Sequence, residues 1–340
     1  MRKKIFNALQ YAFFLGLGIF LLWFSASNLS NENKQQLVSS LRSADYLLVM
    51  FPMLALLLAH YIRALRWKIL MQPLGYSPSV MNVFFATMLG YFFNMMIPRL
   101  GEVMKCTMLA KYEKIPADKL IGTMVTERLV DALCLLIVFV ITIVTQFDII
   151  NHYTAAKLNL LLYDTHGELK LFRLIVMILA ITIFVLLLRW FFKKNASSPA
   201  IKKIISVLKG IWDGVTSISH LKNKWTFIAQ SVLIWALYIL SVKTGFYAME
   251  SVRHLDIGAC FSIISLGSVA MIATPGGIGA YQYFIQELLP LYGVAKGPAL
   301  AFGWILWLAQ TGIAVIGGLI CLILLPIVNR NKHEISPVNQ

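Results

Sequence analysis

Apolar runs of about 20 residues recur along the chain, separated by short polar stretches, which is the pattern of helices that cross a bilayer. They predict six full spans, over residues 5–24, 46–67, 120–146, 171–192, 225–249 and 298–327. Two further apolar runs are broken. Val80–Ile97 stops at Pro98, followed by Arg99-Leu-Gly101-Glu102, and residues 257–274 run into Thr274-Pro275-Gly276-Gly277-Ile-Gly279 before apolar sequence resumes at Ala280. Helix-breaking Pro and Gly survive at membrane depth only where the freed backbone groups are buried in protein or line a wet cavity. Paired breaks in corresponding positions of two halves point to a transporter's binding site. No long strands of alternating polarity occur, so a membrane β-barrel is not expected.

Charge orients these segments, because Lys and Arg concentrate in cytoplasmic loops. Arg63, Arg66 and Lys68 close the second span, and Lys105, Lys111, Lys114 and Lys119 follow the first broken run. Both ends of that run then lie inside, which predicts a re-entrant hairpin returning near Asn94–Gly101. The loop after residue 146 carries Asp148, Asp164 and Glu168 and reads as outside, whereas residues 193–224 hold seven lysines against Asp213 and read as cytoplasmic. Within that basic loop, residues 201–221 have the spacing of an amphipathic surface helix. The second broken run begins and ends outside. The expected fold is an all-α polytopic membrane protein with about six full spans and two re-entrant helical hairpins in an inverted repeat, the alternative being eight or more simple crossings. It forms one domain over residues 1–340, with halves at 5–146 and 171–327, in the cell inner (plasma) membrane with both termini cytoplasmic.

Composition agrees with this reading. The chain is 59% hydrophobic and only 13% charged, against about 25% charged in soluble domains. A net charge of +15 could suggest nucleic acid, but the basic residues sit between apolar runs instead of along one soluble face. Anionic lipid head groups are the natural partners of such loops. Four scattered cysteines have neither disulfide nor metal spacing, and no metal, cofactor, ATP motif or nucleophile with a base is expected. Met1-Arg-Lys-Lys before an apolar stretch resembles a signal peptide, but the stretch is too long and is read as a retained first helix.

The chemistry rests on charges at membrane depth, which are costly there and mark functional sites by default. Arg99 offers a rigid five-donor fork suited to phosphate, and Glu102 would restrain it or take a cation or proton. Glu127 and Asp131, four apart, share a helix face, and Arg128 can pair with Asp131. This cluster serves either as a structural salt-bridge network or as a substrate contact. Thr274–Gly279 opens a helix, where glycines admit close approach and the N-terminus attracts anions. Arg63, Arg66 and Trp67 share a helix face and read first as an interfacial anchor, second as a phosphate contact. Lys243 either snorkels outward or meets Glu127 or Asp131. The tryptophans at 225, 235, 304 and 307 read as belt or packing residues.

Taken together, Arg63-x-x-Arg66-Trp67, Asn94-x-x-x-Pro98-Arg99-x-Gly101-Glu102, Glu127-Arg128-x-x-Asp131 and Thr274-Pro-Gly-Gly-Ile-Gly279 resemble the flippase-like family, the transmembrane region of lysylphosphatidylglycerol synthase. The resemblance implies an integral membrane domain that moves lipids or lipid-linked groups between leaflets. Gln282 stands where many members have an acid, and Lys105 where many have Arg. The sequence ends at Gln340, directly after the last expected span, so the aminoacyl transfer of the fused members is not carried over. The substrate-binding set is therefore expected to comprise Arg63, Arg66, Asn94, Arg99, Glu102, Glu127, Arg128, Asp131, Thr274, Pro275, Gly276, Gly277, Gly279 and Gln282. The expected function is translocation of an anionic or polyprenyl-linked lipid. A lipid-modifying or glycosyl-transferring enzyme and a membrane scaffold remain as alternatives.

Overall fold

A computed structural model describes residues 2–97, 99–149, 151, 179 and 221–330, with side chains from residue 12 onward. All but residue 179 of the expected span at 171–192, most of the basic loop 193–224 and its surface helix, and Pro98 lie outside the described residues. The chain divides into two units, residues 1–142 with 220–340, and residues 143–219. Everything below concerns the first.

All the regular structure described is helical. The helices are α1 (Arg2–Ser27), α2 (Asn31–Ser43), α3 (Met50–Met71), α4 (Val80–Met96), α5 (Leu100–Glu113), α6 (Ala117–Thr145), α7 (Lys224–Phe246), α8 (Ile257–Ala273), α9 (Ala280–Leu288) and α10 (Lys296–Val328). Three of them, α6, α7 and α10, are long and apolar enough by themselves to cross a membrane. The second expected span, α3, is a 22-residue helix that falls short of that standard. The reason is its own chemistry: His60, Arg63, Arg66 and Lys68 crowd its second half.

One expectation is overturned. Residues 31–43, part of the polar stretch between the first two expected spans and so expected as loop, form α2, which bends 109° from α1. Ser30 caps it by accepting from the Asn33 amide at 3.2 Å, a signal present in the sequence. The helix docks where Asn33 Oδ1 accepts from the Gly297 amide at 3.2 Å, so close that a Cβ on Gly297 would overlap the Asn33 carbonyl.

Both broken runs fold as helical hairpins. In the first, α4 and α5 cross at Gly90 and Gly101, and any side chain at Gly101 would overlap the Gly90 carbonyl and Asn94. Its open end is tied where Glu113 accepts from the Ser79 amide at 3.1 Å and the Asn82 amide at 2.5 Å. In the second, α8 and α9 are joined through Thr274–Gly279, and Ser262 meets Tyr292 at 2.7 Å near its open end.

The hairpins open at opposite ends of α10. That helix of 33 residues is roughly 50 Å long. At its start, Lys296 pairs with Glu287 at 2.6 Å, beside the open end of the second hairpin. At its end, Asn329 exchanges amide hydrogen bonds with Asn82 at 2.7 and 2.9 Å, beside the open end of the first. Between these, Trp307 Nε1 donates to the Gly276 carbonyl at 2.8 Å, and Phe92 packs on Gly318. The two contacts lie roughly 15–17 Å from opposite ends of α10, so both hairpins reach the central part of the same long helix.

Candidate functional site

The two tips touch: the Met95 sulfur lies against Gly276, 2.7 Å from where a Cβ there would sit. Around them opens a cavity of about 1020 Å³. Its wall takes Asn94, Ile97, Arg99 and Glu102 from the first turn and Thr274, Pro275 and Gly276 from the second. Gly276, Gly277 and Gly279 adopt φ of 61°, 74° and 78°, which only glycine enters freely. The turn is closed internally by Gly277 donating to the Thr274 carbonyl at 2.9 Å and by the Thr274 hydroxyl donating to the Ile278 carbonyl at 2.8 Å. Arg99 also has a left-handed backbone, φ 69°, unusual for a residue with a Cβ and concentrated at functional sites.

Behind the chamber lies a buried charge network. The i, i+3, i+4 spacing on α3 places Arg63, Arg66 and Trp67 on one face, opposite Glu127 and Asp131 of α6. Asp131 accepts from Arg63 at 2.6 Å and from Arg66 at 2.5 Å, one oxygen for each. Glu127, with no solvent exposure, takes Lys105 at 2.7 Å and lies 3.6 and 3.8 Å from Arg63 and Arg66. Lys105 also sits 3.8 Å from the Trp67 ring centroid, and Trp67 donates to Thr123 at 3.0 Å. Further hydrogen bonds run from Arg63 to Tyr238 at 3.0 Å and from Arg66 to Ser231 at 3.1 Å. Buried charges persist only with such pairing, and here the pairs bind α3, α5 and α6 together.

The structure sorts the expected site residues. Arg63, Asn94, Arg99, Glu102, Arg128, Asp131, Thr274, Pro275 and Gly276 line the chamber. Arg66 and Glu127 stand behind the wall, fully buried. Gln282 is buried too, and its side chain caps α9 by accepting from the Gly279 amide at 2.8 Å. Gly277 and Gly279 shape the second turn, with Gly279 packed on the Gly18 carbonyl of α1.

Several expected pairings differ. Arg63, Arg66 and Trp67 are not an interfacial anchor, because the carboxylates of α6 draw them into the protein. Arg128 does not pair with Asp131, whose oxygens are both taken. It turns to Glu102, 3.8 Å away, while Glu102 accepts from Asn94 at 3.2 Å instead of restraining Arg99. Lys243 reaches outward to the Leu255 carbonyl at 2.7 Å. Sequence reasoning missed the aromatic part of the wall: His60, Tyr91, Trp235 and Tyr238. Two of these were findable, since His60 precedes Arg63 and Tyr91 precedes Asn94 by three residues, one helical turn.

Five cations (Arg63, Arg66, Arg99, Lys105 and Arg128) and three carboxylates (Glu102, Glu127 and Asp131) belong to the chamber wall and the network behind it. The surplus is positive. The sequence pattern described as the lysylphosphatidylglycerol synthase TM region matches residues 8–318. The chain belongs to that family. A relative, the UPF0104 membrane protein MJ1595 of Methanocaldococcus jannaschii, is 27% identical over 240 residues, 66% of this chain and 68% of the relative. No solved structure matches. The family is a membrane one, in keeping with the apolar helices that make up most of the described fold.

Proposed function

We propose that this protein translocates an anionic lipid, or a lipid-linked molecule such as a polyprenyl phosphate derivative, between leaflets of the inner (plasma) membrane. The observation that carries the reading is the shared chamber: two helix-breaking turns, from hairpins opening at opposite ends of α10, line one cavity with surplus positive charge. Broken helices at membrane depth are tolerated where they line such a cavity, and they mark binding sites in transporters. The head group would sit against Arg63, Arg99 and Arg128, within reach of the second turn. Apolar groups of the same wall, among them Phe14, Leu56, Ile97, Leu135 and Ile272, would receive the adjoining acyl or prenyl chain. On this reading both hairpins are re-entrant, the halves are inverted, and both termini are cytoplasmic.

The test is a leaflet-resolved lipid assay in reconstituted vesicles. Intact protein is expected to move a fluorescent anionic phospholipid faster than protein-free vesicles do, and Arg99→Ala to lose most of that rate. Equal rates for the two proteins would remove Arg99 from the mechanism; no rate above the protein-free background would reject translocation of that lipid. The enzymatic alternative needs a free acid pair, and its candidates, Glu127 and Asp131, are both engaged by buried cations.

A further inference from the structure

The three carboxylates of the cluster are held very differently. Asp131 has an arginine on each oxygen at 2.6 and 2.5 Å, and Glu127 is buried against Lys105 at 2.7 Å. Glu102 lies on the chamber wall in the first turn of α5, beside Arg99. Its Oε1 is 3.2 Å from the Asn94 amide and 3.8 Å from Arg128, beyond hydrogen-bond reach of the latter. Its Oε2 is buried without a hydrogen-bond partner. An ionised oxygen left so loses its hydration without compensation. Glu102 is thus the least paired acid of the chamber, and it sits next to Arg99 and Arg128, the arginines that would receive an anion.

We propose that Glu102 is the exchangeable counter-ion of the chamber: an entering anionic group takes its place beside Arg128 and Arg99, and Glu102 takes up one proton from solvent as it yields. On release of the anion the proton leaves and the Arg128–Glu102 pair re-forms; only an O–H bond is made and broken. The proposal rests on the head-group reading above and adds that binding there is coupled to protonation.

The ionisable surroundings of Glu102 are these. Its own hairpin contributes Arg99, Lys105, Cys106 and, from α4, Tyr91. Helix α6 brings Glu127, Arg128 and Asp131, α3 brings His60 and Arg63, and α7 brings Tyr238; the second hairpin adds only Tyr281. An anion placed beside a carboxylate disfavours its charged form, so the bound state holds a proton that the free state lacks. By linkage, affinity for the anion then falls as pH rises, by up to about tenfold per pH unit. His60, buried on the same wall, is the necessary control.

The experiment titrates the full-length protein in detergent with a short-chain phosphatidylglycerol, whose phosphodiester keeps one charge throughout, between about pH 5 and pH 8. Tryptophan fluorescence reports binding through Trp235 on the chamber wall. Wild-type affinity is expected to fall several-fold across the range. Glu102→Gln should bind with the low-pH affinity throughout, Glu102→Asp should restore the slope, and His60→Gln should keep it. An unchanged slope in Glu102→Gln, or a slope abolished by His60→Gln, overturns the proposal while leaving the head-group reading intact. Absence of binding by the wild type at every pH overturns both.

Discussion

At the residue scale, the buried charges divide into those that hold the fold and those that face the chamber. Asp131 and Glu127 pair with three cations, Arg63, Arg66 and Lys105, and removing either carboxylate strands a buried positive charge. Asp131→Asn and Glu127→Gln are each expected to destabilise the protein by about 3–5 kcal/mol, read as a lower thermal midpoint in detergent. Arg99 is exposed and takes part in none of the ion pairs among the described residues. Arg99→Ala is therefore expected to leave the midpoint almost unmoved, within about 0.5 kcal/mol, while lowering transport. A large stability loss in Arg99→Ala would mean that its left-handed turn depends on the side chain. The sequence identified Glu127, Asp131 and the arginines as special because charge inside apolar sequence is conspicuous. Their partners were hidden, because Arg63 and Asp131 are 68 residues apart and only the folded chain brings them together.

At the element scale, glycine decides how closely helices meet. Gly101 lies against Gly90 and Asn94, and Gly101→Ala would push the arms of the first hairpin apart; the expected loss is about 2 kcal/mol or more. Gly122 on α6 has open space where a Cβ would stand, so Gly122→Ala should gain about 0.5–1 kcal/mol through helix propensity. Chemical denaturation of the two variants checks the pair, and a similar response in both would refute the packing argument. The long apolar helices and both breaks were legible, since length, polarity and Pro/Gly are local properties. The short helix α2 was not: it has a polar composition and a cap but no apolar run, and its place comes from docking on the start of α10. The capping role of Gln282 was hidden as well: its carbonyl oxygen accepts from the Gly279 amide at the start of α9, a contact that only the folded turn makes.

At the scale of the whole molecule, opposed hairpins make a prediction about sidedness. Cysteines placed singly at Lys68 and Lys111, with native cysteines replaced, should react with an impermeant thiol reagent from one face of sealed vesicles, and a cysteine at Glu250 from the other. Labelling of Lys68 and Lys111 from different faces would reject re-entry of the first hairpin. The amino-acid sequence by itself determined the membrane class, the positions of the broken helices and the residue types at the site, because burial in hydrocarbon constrains hydropathy and backbone satisfaction locally. The tertiary structure alone decided that the two breaks meet at the middle of α10, that Arg63 and Arg66 turn inward to Asp131, and that aromatic rings complete the chamber. Those outcomes depend on contacts between residues tens to hundreds of positions apart, whose pairing no local pattern encodes.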